Sequence, residues 1–276
     1  MRGHPRLPIA VLAALLLGAS GAESVRADEA DAAGALIERV EQVAAEGLVV
    51  DGLAATLTIV GEPRDDVALT MRGTDGALGQ VEHEVRGGVL HIGMQGSFTS
   101  LAGGGANVVI ARNGGIATSI IGGQQVTVGS LAAEPMPEIR IAVPSAAPIA
   151  LAGLVGEIGV SGVDGPIELA LSQGEAHLDR VRDGRLAVSG DGLIVVDQAS
   201  GNLAIEVEGA GRTRIADARL DELEVDVTGT GEVVVDGVAE TGRLSVTGIG
   251  RIRVSEIRSQ PLISRTGIGD IQVGNR

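Results

Sequence analysis

The sequence lacks cysteine, lysine, tryptophan and tyrosine, and Phe98 is its only aromatic residue. Without cysteine no disulfide framework can form, so repetition and packing must supply the stability. Without rings the core must be filled by Val, Ile, Leu and Ala. That composition suits narrow stacked β layers better than a thick globular core.

Basic residues are also scarce, and the formal net charge is −15 over 276 residues. Removal of a leader containing Arg2 and Arg6 would make the chain −17. Such a charge argues against nucleic acid and anionic membrane surfaces as partners. Cations, basic proteins and neutral glycans stay open.

Residues 1–22 have the pattern of a secretory signal peptide. A basic start precedes the apolar run Ile9–Leu17, and small residues end at Ala22, with Ala27 as a second cleavage position. The apolar run is too short to span a bilayer. We therefore expect an exported protein, periplasmic, secreted or associated with the cell surface, with no integral membrane segment in the mature chain.

The N-terminal segment 23–47 carries apolar residues at helical spacing. A short helix is predicted between Asp28 and Glu46, and it is based on Leu36, Ile37, Val40, Val43 and Ala44.

From Leu48 the apolar period changes to two, which predicts strands. Val81–Arg86 and Val89–Gly93 form a predicted hairpin around Gly87-Gly88. In this register Val85 opposes Leu90, His83 opposes Ile92, and Glu84 opposes His91. The Glu84–His91 pair could bind a metal, but one pair is not a site, and a solvated charge pair is the simpler interpretation. His83 is expected to be a partly covered core residue.

Residues 95–134 form a glycine-rich insertion in which no phosphate-binding pattern occurs. Two interpretations stay open, a variable binding element or an insertion without fixed structure. The strand Glu138–Val143 follows it.

A short glycine phrase, which is G-x-G in its last five copies, then returns seven times between Val155 and Val273. The second glycines are Gly156, Gly174, Gly192, Gly211, Gly231, Gly250 and Gly269. Successive copies are 18, 18, 19, 20, 19 and 19 residues apart. A fixed period of this length is typical of stacked units that bury their apolar faces against each other. The prediction is an all-β chain with a parallel β-solenoid over residues 48–276, in which the G-x-G phrase forms a corner.

Three columns, counted from each second glycine, are predicted to face inward. Two residues on stand Ile158, Ala176, Ile194, Thr213, Val233, Ile252 and Ile271; four residues on stand Val160, Leu178, Val196, Ile215, Val235, Val254 and Val273; seven residues on stand Val163, Val181, Ala199, Ala218, Val238 and Ile257. A fourth inward column, Val188, Val207, Val227 and Val246, ends in Arg265. We expect Arg265 to lie at the end of the stack, where an inward charge discourages edge pairing.

The residue after the second glycine alternates in charge in the later coils: Arg212, Glu232, Arg251 and Asp270. Stacked coils would bring these side chains into a cross-coil ladder, which stabilises the register by less than about 1 kcal/mol per exposed pair.

Catalysis by a β-solenoid would need paired carboxylates on one outer face. The candidates near the corners are Asp179, Asp183, Asp197, Asp217, Asp221, Glu222 and Asp236. Acidic turns are expected for solubility alone. We therefore predict no catalytic residues, no cofactor-binding residues and no metal ligands, and no enzymatic activity.

At these residues the sequence resembles the family described as putative autotransporter adhesin, head GIN domain. The resemblance rests on Val50-Asp51-Gly52-Leu53, on the strand Glu138–Val143, and on the repeats SGDG, VTGTGEVVV and VTGIGRIRV, and it extends from about Leu48 to Asn275. It implies a right-handed parallel β-helix in exported bacterial proteins, with an adhesive or envelope role and no catalytic motif.

The function expected from the sequence is that of a non-catalytic exported β-solenoid module, adhesin-like or structural in the cell envelope. The partner is unknown; a surface glycan or an envelope protein fits. Two alternatives are a glycan-active β-helix enzyme, such as a polysaccharide lyase or hydrolase, and a self-associating envelope scaffold.

Overall fold

The computed structural model describes residues 35–94, 117–121, 124–128 and 136–274. The predicted signal peptide and most of the glycine-rich insertion lie outside these ranges. The described part is almost entirely β, as predicted, with one short helix. Its first elements are β1 (Leu36–Val43), β2 (Gly47–Asp51), β3 (Ala54–Glu62), β4 (Val67–Thr74), α1 (Asp75–Gly79), β5 (Val81–Arg86), β6 (Val89–Met94), β7 (Ala117–Ile121), β8 (Gln124–Val128) and β9 (Glu138–Pro144).

The glycine repeats form a parallel β-solenoid, which confirms the predicted architecture. Its strands are β10 (Ile149–Ser161), β11 (Ile167–Gly190), β12 (Leu193–Gly209), β13 (Arg212–Gly229), β14 (Glu232–Gly248), β15 (Arg251–Ile257), β16 (Leu262–Gly267) and β17 (Asp270–Val273). Each strand from β10 to β14 pairs in parallel with the next coil along the chain. About seven turns of roughly 19 residues result.

Each coil has three sides. The alternation of inward and outward side chains breaks at two places besides the G-x-G corner, and each break marks a bend. In β13 the buried side chains are Thr213, Ile215, Ala218, Leu220, Leu223, Val225 and Val227. Two consecutive residues are exposed at Ala216-Asp217 and again at Asp221-Glu222. Alternate residues of a straight strand share a face, so two adjacent outward residues mark a bend.

The two glycines of the G-x-G corner are required for different reasons. Gly229 has φ +112°, which side chains rarely adopt, and it pairs with Gly209 and Gly248 in the adjacent coils. A Cβ on Gly231 would lie 2.5 Å from Val207 Cγ1 of the preceding coil. The first glycine therefore permits the turn, and the second permits close stacking.

The inward columns are buried as predicted, except that Ile271 and Val273 of the last coil are partly buried and that one further position needs a correction. In the column seven residues after the second glycine, Val163, Val181, Ala199, Ala218 and Ile257 are buried. Val238 is only partly buried. A register shift between Ile215 and Ala218 pairs Gly237 with Ala218, and the buried Ala239 pairs with the buried Leu220. The prediction for Val238 was wrong because it assumed a constant offset.

The N-terminal strands contribute a coil that lies out of chain order. β2 and β3 both pair in parallel with β10 on one side. On their other side they pair in parallel with β6 and β9. The coil β2–β3 therefore lies between β9 and β10, although β9 and β10 are adjacent along the chain.

The predicted helix between Asp28 and Glu46 is wrong over Leu36–Val43, where the chain forms β1. β1 pairs antiparallel with β4, and β4 pairs antiparallel with β9. The exposure of β1 side chains alternates, with Ile37 and Val43 packed against the core. Backbone pairing to β4 outweighs the weak helical spacing because it satisfies the peptide groups of a whole strand.

The predicted hairpin is confirmed as β5–β6, with the three predicted residue pairs in register. In the insertion, β7 and β8 pair antiparallel as a separate two-stranded sheet.

Candidate functional site

The outer surface of the solenoid is covered by contacts between side chains of adjacent coils. The predicted charge ladder is in register from Arg212 to Asp270, and Arg251 lies 3.5 Å from Glu232. A further pair joins Arg185 to Glu206 at 2.6 Å. The hydrogen bond that Arg185 donates to the Glu206 carboxylate raises the pKa of the Arg185 guanidinium. These exposed pairs fix register, and each contributes little to stability.

The acidic residues considered for catalysis are used in the same way. Asp179 Oδ2 accepts the Gly162 N–H at 2.9 Å, and Asp183 Oδ1 accepts the Asn202 N–H at 2.9 Å. Both contacts bind one coil to the next.

Three further candidates have polar partners. The remaining two, Asp221 and Glu222, lie at a bend. Asp197 contacts His177 at 3.1 Å, Asp217 lies 3.7 Å from Arg219, and Asp236 accepts the Ser255 hydroxyl at 3.3 Å. Asp221 and Glu222 are exposed at the second bend of β13. The candidates are thus spread along the corners of several coils.

Glu84, of the pair Glu84–His91 that was considered for a metal, and the nearby His83 each contact another residue. Glu84 forms an ion pair with Arg86 on its own strand. His83 contacts Glu41 of β1 at 2.8 Å between Nε2 and Oε2. Within the described ranges, no group of three or more potential ligands could hold a metal ion.

A depression of about 340 Å³ lies on coils β11, β12 and β13, on the side between the two bends of each coil. The smallest side chains in its lining are those of Ala199 and Ser200 of β12, and we call these two residues its floor. In the flanking coils Arg182 and Arg219 occupy the register positions of Ser200. The depression exists because small residues of β12 lie between the long side chains of its neighbours. We call this site, floor and rim together, the Ser200 depression. Its rim residues are Asp164, Arg180, Val181, Arg182, Gln198, Asp217 and Arg219.

The rim of the Ser200 depression carries charge of both signs. Arg180 pairs with Asp164 at 2.9 Å, and Asp217 lies 3.7 Å from Arg219. Gln198 also lines the rim. Arg182 has no ion pair with any carboxylate in the described part of the chain. Three guanidinium groups and two carboxylates line the depression, and Arg180 also lies 3.9 Å from Asp179, so the unpaired Arg182 is what distinguishes the site.

The sequence contains a signal for this depression that the column analysis missed. The position eight residues after the second glycine holds Asp164, Arg182, Ser200 and Arg219 in successive coils. The prediction from the sequence considered only the inward column one residue earlier. An arginine on each side of a serine in an outward column predicts a depression, with the serine at its floor and an arginine side chain on either side.

A second depression, of about 280 Å³, lies on the N-terminal strands. Thr56, Thr58 and Thr70 line it with Glu38, Arg72, Glu138, Ile139 and Arg140. Arg72 lies 3.9 Å from Glu138, and the two arginines of this second depression are matched by two glutamates. The Ser200 depression is therefore the better candidate for a charged ligand.

Of the chain that the structure describes, no helix is long and apolar enough to cross a membrane.

Comparison with solved structures identifies similar folds. A putative adhesin from Bacteroides fragilis superposes with a TM-score of 0.57 at 16% identity, covering 87% of this chain and 97% of that one. A putative adhesin from Parabacteroides distasonis gives a TM-score of 0.47 at 16% identity, with the same coverages of 87% and 97%. A putative lipid binding protein from Parabacteroides distasonis gives 0.45 at 16% identity, again covering 87% and 97%. At 16% identity, the likeness to the Bacteroides fragilis protein shows the fold alone.

No curated protein sequence matches this chain significantly. The model of one family does match, over the C-terminal third of the chain, where the last five of the seven repeat corners lie. The resemblance predicted from the glycine repeats is thereby confirmed for residues 184–276, which match the family described as "Putative auto-transporter adhesin, head GIN domain".

Proposed function

We propose that this chain is an exported, non-catalytic β-solenoid binding module with an adhesive role at the cell envelope. The observation that carries the proposal is how the outward carboxylates are used. Asp179, Asp183 and Asp236 accept hydrogen bonds from adjacent coils, an arrangement that builds a rigid surface. The family match and the similarity in fold to a putative adhesin support the same function.

A rigid rod with a polar, irregular surface is suited to recognition without chemistry. General acid–base catalysis of glycoside cleavage needs two carboxylates facing each other across one bond. Here the carboxylates are distributed along the corners and held by neighbouring donors. The leader-like residues 1–22 support export, and the partner class stays a surface glycan or an envelope protein.

The test is a binding screen of the mature chain against arrays of surface glycans and envelope proteins, with new reducing ends measured in the same samples. We expect saturable retention on at least one ligand that is recovered intact. Cleavage of a bound polysaccharide would replace the proposal with the enzyme alternative. Retention on no surface, together with large oligomers in light scattering, would favour the scaffold alternative.

A further inference from the structure

The Ser200 depression has the chemistry of a subsite for an acidic sugar. It is open to solvent, so a ligand can reach its floor without any movement of the backbone. The floor spans one coil, and Arg182 and Arg219 stand one coil away on either side. At the usual spacing of about 4.8 Å between strands, the two Cα atoms are roughly 10 Å apart. One monosaccharide ring fits in that distance.

The guanidinium groups provide the acceptor-binding part of the site. Arg182 has no ion pair in the described chain, and Arg219 has only a long contact to Asp217. A guanidinium binds a carboxylate through two parallel hydrogen bonds, which is stronger and more directional than a single contact. A ligand carboxylate would therefore meet donors that are not already engaged.

The other rim residues suit a ligand that also donates hydrogen bonds. Asp164 and Asp217 are acceptors only, and Gln198 and Ser200 can do both. Sugar hydroxyls would donate to the carboxylates, whereas an acidic peptide would bring further negative charge against them. The combination of the unpaired Arg182, the weakly paired Arg219 and the acceptor carboxylates favours a carboxylated saccharide over an acidic peptide.

From this arrangement we infer that the Ser200 depression binds the carboxylate-bearing sugar of an acidic glycan, with Arg182 and Arg219 holding the carboxylate. This inference rests on the proposed binding function and names its ligand class. The described surface offers no aromatic ring for a sugar to stack on, since the sequence has only Phe98. Single-site affinity is therefore expected to be weak, with Kd of about 1 mM, and tight attachment would come from several sites on one polymer.

The net charge of −15 makes the test discriminating, because nonspecific attraction of an anionic glycan to this chain is unfavourable. The probe is an oligogalacturonate, titrated into the mature chain by calorimetry or by NMR amide shifts. The fully methyl-esterified oligomer of the same length is the control ligand. We expect the free acid to bind at least tenfold more tightly than the ester, with amide shifts centred on residues 198–200.

Matched variants locate the site. Arg182→Gln should weaken oligogalacturonate binding about tenfold. Arg214→Gln, on the outward face of β13 and outside the depression, removes the same charge and should leave binding unchanged. Ser200→Leu keeps the charge, fills the floor and should abolish binding. Unchanged thermal unfolding of all three variants would show that folding is not the cause.

Three outcomes overturn the inference. Equal losses with Arg182→Gln and Arg214→Gln would mean diffuse electrostatic attraction. Equal binding of acid and ester would mean that the carboxylate is not recognised, and equal binding of an oligoglutamate would mean that the sugar is not. In each of these cases, binding to a different ligand in the wider screen would leave the proposed function standing.

Discussion

Thr213 places a hydroxyl group within an aliphatic column. Its side chain is 1% exposed, and its Oγ1 has no hydrogen-bond partner. Its neighbours in the column are Ile194 and Val233. A buried hydroxyl without a partner destabilises the folded state, because it loses its hydrogen bonds to water.

Thr213→Val should therefore raise the free energy of unfolding by about 1–2 kcal/mol. The shape of the side chain is kept, so no cavity or clash follows. Thr228→Val, at an exposed position on the same strand, is the control and should change stability by less than about 0.5 kcal/mol. Chemical denaturation measures both. A loss of stability in Thr213→Val would indicate that the hydroxyl has a partner.

The corner glycines give a second residue-scale prediction. Gly229→Ala combines φ +112° with a Cβ 2.6 Å from the Gly209 carbonyl oxygen. It should destabilise the fold by about 1–3 kcal/mol. Gly159→Ala is the matched control, because a Cβ there meets nothing within 4 Å. Equal melting temperatures for the two variants would contradict the role of the corner.

At the scale of the strand, burial of a carboxyl group makes stability depend on pH. Asp51 ends β2, between Gly93 and Ala152 of the adjacent strands. Burial raises the pKa of its carboxyl group, and a hydrogen bond from the Gly52 backbone opposes the shift in part. The folded chain thus holds a proton more tightly than the unfolded chain, so the ionised form costs stability.

The cost is fully present above the raised folded pKa and disappears as pH falls below the unfolded value near 4. Asp51→Asn should therefore be more stable than the parent chain at pH 7. The two should converge as the pH is lowered through this window, in urea unfolding measured at each pH. Parallel stability curves would show that the Asp51 carboxyl does not titrate differently in the two states.

The sequence predicted those elements whose side chains repeat and failed where backbone pairing or a shifted register decides. The columns at Ile194 and Val196 follow from period two and the fixed glycine spacing. β1 was missed because Leu36, Ile37 and Val40 match helical spacing, and its partner β4 is distant in sequence. Val238 was misplaced because the register shift between Ile215 and Ala218 changes the offset between β13 and β14 by one residue. The Ser200 depression was missed because it arises from differences in side-chain length across three coils.

At the scale of the whole molecule, the C-terminal end of the described stack is an open strand edge. At the C-terminal end of the described chain, β16 and β17 pair with β14 and β15 on one side, and no described strand covers the other. Leu262, Ile263 and Ile268 are more than half exposed there. Arg265 pairs with the buried Val246 and is exposed, as predicted from its column. This edge could pair with a second copy, and the inward charge opposes that.

Arg265→Val should therefore increase self-association, visible as a concentration-dependent rise in sedimentation coefficient. Arg253→Val is the control, since Arg253 points outward from β15 and lies off the edge. Both variants lose one charge and gain one apolar side chain. Association in neither variant would mean that Arg265 does not protect the edge.

The coil β2–β3 imposes an order on folding. Its residues pair with β10 across about 100 positions of sequence, whereas neighbouring repeats pair across about 19. Contacts between near neighbours in sequence form first, because closing a short loop loses less entropy. The repeat array should therefore acquire amide protection before β3 does, and pulsed hydrogen exchange during refolding measures both. Until β10 arrives, the edge of the early coil that β10 covers remains open, so the newly made chain is most prone to aggregate at the end that is synthesised first.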